Sequence, residues 1–145
     1  MSKIFLDANI LLDILIPDRP NHQQALQAYT KICDRYDILS TSENILTTIE
    51  YIASRNKISC IVVYQFFQKL TTTFELYHFT DILKESLEIY NQKCKQQEKI
   101  DFEDLLQLKC AIKNSCDAFL TEDKSIKKMG QSIKILGLND IIHLN

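Results

Sequence analysis

Short apolar runs alternate with long stretches of helical periodicity along this chain, and that alternation restricts its fold more than any other feature. The runs lie at 4–6, 38–39, 76–79, 118–121 and 133–136. Each is bounded by polar residues and reads as a buried strand. Between them, the stretch 9–15 places Ile10, Leu11, Ile14 and Leu15 at helical spacing, and Pro17 and Pro20 close it. The stretch 21–35 carries Ala25, Ala28, Tyr29 and Ile32 on one side. Ser42 is positioned to cap a helix reaching about residue 54. A further helix is predicted over 59–70, although Ile61-Val62-Val63 would also suit a strand. Thr80 is expected to cap a long helix whose stripe of Leu83, Leu87, Tyr90 and Cys94 reads as core. Asp101 caps a helix to about residue 114. Strands separated by helices pair in parallel through crossovers. The prediction is a single α/β domain over 1–145, a three-layer α/β/α sandwich with a central, mostly parallel sheet.

Composition removes several functional classes. The chain has two glycines and two prolines, so no glycine-rich phosphate loop is available for a Rossmann or P-loop site. No apolar stretch is long enough to span a bilayer, so no membrane association is expected. Met1-Ser2-Lys3 runs straight into the first apolar run, and no secretory leader is expected. The five cysteines are odd in number and lack zinc-site spacing. They read as small buried apolar residues in a reducing, cytoplasmic setting. The three histidines, His22, His78 and His143, flank no nucleophile motif. The net charge of −2 leaves any nucleic-acid contact to a local positive rim. Lys124, Lys127 and Lys128, with Lys134 beyond them, could form that rim or simply a solvated face.

The chemistry lies in carboxylates far apart in sequence. Asp7 ends the first apolar run, Asp101 and Asp104 open a helical stretch, and Asp123 follows a later strand. Acids at the carboxyl ends of parallel strands converge on one crevice. Crowded carboxylates stay ionised together only when a cation neutralises them, and hard oxygen ligands favour Mg²⁺ or Mn²⁺. Asp117 precedes the strand that Asp123 follows, so only one of the two can join the cluster. Asp101 and Asp104, three apart, also fit an N-cap and third-position pair.

The strings Phe5-Leu6-Asp7-Ala8-Asn9, Asp101-Phe102-Glu103-Asp104 and Asp117-Ala118-Phe119-Leu120-Thr121-Glu122-Asp123 resemble the PIN-domain family of ribonucleases, which includes the VapC-type toxins of bacterial toxin–antitoxin pairs. The resemblance covers nearly the whole chain. It implies a metal-dependent endoribonuclease with Asp7, Asp104 and Asp123 as metal ligands, and Asn9 and Thr121 as supporting groups. Asp101 is a cap and a possible further ligand. The resemblance also implies an RNA substrate, a cognate antitoxin that covers the crevice, and a homodimer.

The match breaks at one place. Where the family carries a second acid, on the helix after the second strand, this chain has Thr48. Glu43 and Glu50 flank that position but lie on other helix faces. The expectation is that Thr48 faces the crevice, leaving it one negative charge poorer. A catalytically weak or inactive PIN-like domain that binds RNA or protein is therefore the alternative. A flavodoxin-type phosphohydrolase or receiver ranks last, because no acid pair precedes Asp7.

Overall fold

The computed structural model describes residues 1–129 and 132–145. Its centre is one sheet of five strands, β1 (Lys3–Leu6), β2 (Ile38–Ser42), β3 (Phe74–Tyr77), β4 (Ala118–Leu120) and β5 (Lys134–Leu136), in the order β3-β2-β1-β4-β5. Every adjacent pair is parallel, with Phe5 facing Ser40 on one side and Phe119 on the other. The chain thus leaves β1 in both directions, and β1 and β4 meet at the point where the strand order reverses. In open parallel sheets that point, at the carboxyl ends of the strands, opens a crevice.

Strand alternation sorts the side chains into two layers. Ile4, Leu6, Leu39, Ala118 and Leu120 pack with the helices α1 (Ala8–Leu15), α2 (His22–Arg35), α3 (Ile45–Arg55), α4 (Cys60–Thr73) and α8 (Leu138–Ile142). Phe5 and Phe119 point the other way, stacked at 5.0 Å between ring centres, against α6 (Phe102–Lys113) and α7 (Lys124–Met129). The helix α5 (Leu83–Lys95) packs on α6. Beta-branched and aromatic residues in these short strands fill a sheet covered on both faces. No helix among the described residues is long and apolar enough to cross a membrane.

Several local expectations are corrected. Ser42 does not cap α3; it ends β2, and its hydroxyl donates to Asn44 Oδ1 at 2.7 Å. The pairing of β2 with β3 over four residues carries the strand past the polar signal. β3 begins at Phe74 because α4 runs three residues beyond its predicted end, to Thr73. The competing strand reading for 61–63 is excluded, since those residues form the first turns of α4, capped by the Ser59 hydroxyl accepting from Val62 N–H. Thr80 opens a short 3₁₀ turn, Thr80–Ile82, and α5 starts only at Leu83. The stripe on α5 is not core: Leu83 and Leu87 are 40% and 54% exposed, and the helix buries Ser86 instead. Cys110 and Cys116 are buried, but Cys33, Cys60 and Cys94 are exposed, so the cysteines are not uniformly core residues.

Candidate functional site

Asp7 stands at the end of β1, and its backbone N–H donates to Leu120 O at 3.1 Å, which prolongs the pairing with β4. Although it precedes α1, its side chain makes no capping bond. The carboxylate turns instead toward β4, where the buried hydroxyl of Thr121 donates to Oδ2 at 2.8 Å. The same hydroxyl accepts from Asp123 N–H at 3.0 Å. Thr121 therefore ties together the two strand ends that carry Asp7 and Asp123. Asp123 is fixed in turn by Ser125, whose N–H and hydroxyl donate to Oδ1 at 2.9 and 2.7 Å.

Asp104 comes from the other wall. It lies in the first turn of α6, whose N-cap is Asp101, with Asp101 Oδ1 accepting from Asp104 N–H at 3.0 Å. A carboxylate there sits at the positive end of the helix dipole. The Asp104 carboxyl also lies near enough to Asp123 for each to act on the other's ionisation, raising Asp104 and lowering Asp123.

The electrostatics of these groups are not those of a structural ion-pair network. Burial raises the Asp7 carboxyl from its ordinary 3.8 to about 6, and the negative charges of Asp123 and Glu103 push the same way against the Thr121 bond. Asp104 is raised further, to about 8, first by burial and then by Asp101, Asp7 and Asp123. Asp123 is lowered, chiefly by the Ser125 hydroxyl. The charges named as acting on Asp7 and Asp104 among the described residues are thus negative. None of the four ion pairs among the described residues involves Asp7, Asp104 or Asp123. Strongly perturbed acids without a structural counter-charge are the mark of a site that takes its cation from solution.

The donor set therefore fits a hard divalent cation by its chemistry. Among the described residues, however, no group of three or more His, Cys, Asp or Glu side chains is placed so that it could hold a metal ion.

The remaining predicted residues distribute unevenly. Asp117 lies at the far end of β4, accepting from Lys3 N–H at 2.8 Å, so of the two acids flanking that strand only Asp123 joins the crevice. Asn9 is exposed on α1, and the contact on Asp7 comes from Thr121 instead. Thr48 is half-buried on α3, one helical turn from the buried Ile45. Glu50 borders a different cavity, between α3 and α4 with Val63 and Phe67, and Glu43 is exposed ahead of α3. Lys124, Lys127 and Lys128 are exposed on α7, directly after Asp123, and Lys134 is exposed on β5. Glu122 turns away, accepting from Leu138 N–H at 3.2 Å at the start of α8.

Two residues escaped the sequence reading. Glu103, half-buried, is one of two charges bearing on Asp7, and Gln107 Nε2 donates to it at 3.2 Å across one helical turn. Its place beside Asp104 in the first turn of α6 was the available signal. Ser125, two residues after Asp123, is the signature of a side chain closing back on its own turn.

The fold and site thus define the class: a parallel α/β sandwich with acidic side chains gathered at its switch point. Residues 3–125 match the PIN domain model, and the chain belongs to that family. Ribonuclease VapC1 of Aquifex aeolicus (strain VF5) is 29% identical over 126 residues, covering 86% of this chain and 83% of the relative. Two solved structures share the fold at TM-scores of 0.72. One is Mycobacterium tuberculosis VapC20, a sarcin–ricin loop cleaving toxin, at 15% identity over 88% of this chain and 95% of that one. The other is VapBC2 of Rickettsia felis bound to a DNA fragment from their promoter, at 14% identity over 94% of this chain and 98% of that one.

Proposed function

We propose that this chain is an endoribonuclease that hydrolyses RNA phosphodiester bonds with Mg²⁺ or Mn²⁺, and that it is the toxin of a toxin–antitoxin pair. What supports the reading is that Asp7, Asp104 and Asp123, from two strand ends and a helix start, act on one another through like charge. The likeness to a ribonuclease, and to a sarcin–ricin loop cleaving toxin, supports RNA as the substrate. A partner antitoxin is supported by the VapBC2 neighbour. A homodimer and a cytoplasmic site of action belong to the same reading.

Asp7, Asp104 and Asp123 would hold the cation. When bound, it would supply an activated water and charge stabilisation at the leaving oxygen. The chain's own part is positioning. Thr121 fixes Asp7, and Ser125 fixes Asp123. Asp101 orders the α6 start that presents Asp104. In the hydrolysis, a water oxygen bonds to phosphorus, the bond to one ribose oxygen breaks, and that oxygen leaves as a hydroxyl. Lys124, Lys127 and Lys128 would meet the polyanion at the rim.

Thr48 in place of the family's second acid favours one other reading, a PIN-like domain of weak or no activity. Cleavage of an unstructured RNA by the purified chain, free of any partner, decides between them. Cleavage with Mg²⁺ or Mn²⁺ that stops with EDTA supports the nuclease. No cleavage with either metal across several RNAs overturns it.

A further inference from the structure

The acidic crevice has a neighbour of opposite character. Between α5, α6 and α7 runs a groove of about 480 Å³. It has an apolar floor that includes Leu105 and Leu108. A second, more open cavity of about 520 Å³ continues it past Tyr90. These volumes fall in the range of about 300–1,000 Å³ that accommodates small organic ligands.

The groove's walls carry four lysines, Lys93, Lys99, Lys109 and Lys128, against two acids, Glu98 and Asp101, in a chain whose net charge is −2. Lys93 pairs with Glu98 at 2.9 Å and Lys109 with the exposed Glu85 at 3.4 Å. Lys99 borders both cavities, is exposed, and takes part in no ion pair among the described residues. Tyr90 packs on Phe102 at 5.1 Å with the rings 63° apart, which fixes its ring at the edge of the second cavity.

The two cavities are joined to the crevice by shared residues. Both are lined by Asp101 and Ser125. Asp101 is bonded to Asp104 N–H, and Ser125 is bonded to the Asp123 carboxylate. The groove therefore begins beside the residues that hold Asp104 and Asp123 in place. A lysine-lined channel with an aromatic ring is the arrangement that holds single-stranded nucleic acid, through phosphate contacts and base stacking.

We infer that this groove binds the ribonucleotides flanking the scissile phosphate, with Lys99 on a backbone phosphate and Tyr90 against a base. The assignment rests on the ribonuclease reading, and the test separates the two. Binding of a short, unstructured, fluorescein-labelled oligoribonucleotide is measured by anisotropy in EDTA across a salt series. The same samples are then assayed for cleavage with Mg²⁺ or Mn²⁺, and melting and sedimentation are recorded for each variant.

Lys99→Glu should weaken binding about tenfold or more and lower the salt slope by about one, whereas Lys99→Arg should keep both. Tyr90→Ala should weaken binding between about 5-fold and 100-fold, with Tyr90→Phe near the parent. Lys57→Glu, on the exposed turn after α3, should leave binding unchanged. Wild-type binding that Lys99→Glu and Tyr90→Ala both lose supports the groove, even if no RNA is cut. Variants that fold, bind and cut like the parent overturn the groove and leave the nuclease standing. Absence of both binding and cleavage in the parent overturns both. A Lys99→Glu change in sedimentation mass with RNA binding unaltered assigns the face to a second copy and overturns the inference.

Discussion

The two ends of the sheet use the same residue type for opposite purposes. At the amino end, Asp117 Oδ2 accepts from Lys3 N–H at 2.8 Å, and Asp37 Oδ2 accepts from Ser2 N–H at 2.9 Å. These carboxylates are exposed and bonded to backbone donors. At the carboxyl end, Asp7 is 2% exposed and Asp104 half-buried, and the charges around them are negative. An acid at the amino end fastens strand to strand. An acid at the carboxyl end is kept under electrostatic stress that only a proton or a cation relieves. The same sheet thus separates strand-fastening aspartates from electrostatically stressed ones by which end of a strand they occupy.

The sharpest way to break this contrast is to neutralise one acid at each end. Asp7→Asn or Asp104→Asn should lower metal-dependent RNA cleavage by more than about 100-fold, since loss of a supporting group alone typically costs about 10- to 100-fold. Both should leave the metal-free melting temperature equal or higher, because repulsion is removed. Unchanged cleavage by Asp7→Asn would sink the proposed mechanism.

Thr121→Val comes next. It keeps the volume but removes the hydroxyl shared by Asp7 and Asp123, and should cut the cleavage rate about 10- to 100-fold. Titration of the metal against rate should show the loss partly as weaker metal affinity.

The third effect is on stability against pH. Asp104 binds its proton more tightly in the folded chain, at about 8, than at its ordinary 3.8, so the native state holds more protons than the unfolded one between those values. Metal-free stability should therefore fall as pH rises from about 4 to about 8, the reverse of a salt-bridged aspartate. Asp7 adds the same sense up to about 6. Thermal melts in EDTA should show this slope, and Asp104→Asn should flatten it. A slope of the opposite sign in the parent, unaltered in the variant, would show that these acids are not held neutral.

The smallest change is expected at the amino end. Asp117→Ala should cost about 1 kcal/mol of stability through the lost bond to Lys3 N–H, with cleavage retained. Chemical denaturation beside the RNA assay measures both. A Glu50→Gln control should leave cleavage within about twofold, because Glu50 is exposed and borders the separate α3–α4 cavity.

Much of the architecture was legible because strand and helix periods differ. The runs at 4–6 and 118–120 form neighbouring parallel strands, and the acids after them fall at one end by strand polarity alone. Asp101 as the α6 cap was equally local, since the capping bond spans three residues. The α5 stripe was misread because periodicity shows that a helix has two faces without saying which one meets the sheet. Tertiary packing turned Ser86 inward and left Leu87 in solvent.

What the sequence determined alone is therefore the order of strands and helices, the polarity that sends Asp7 and Asp123 to one edge, and the local caps. These depend on contacts within a few residues and on the geometry of a parallel crossover. The tertiary structure decided what those acids experience. Thr121 reaches Asp7 across 114 positions, and Asp104 feels the charges of Asp7 and Asp123 across gaps no local pattern encodes. Burial and the sum of like charges depend on distances through space, and only the folded chain sets those distances.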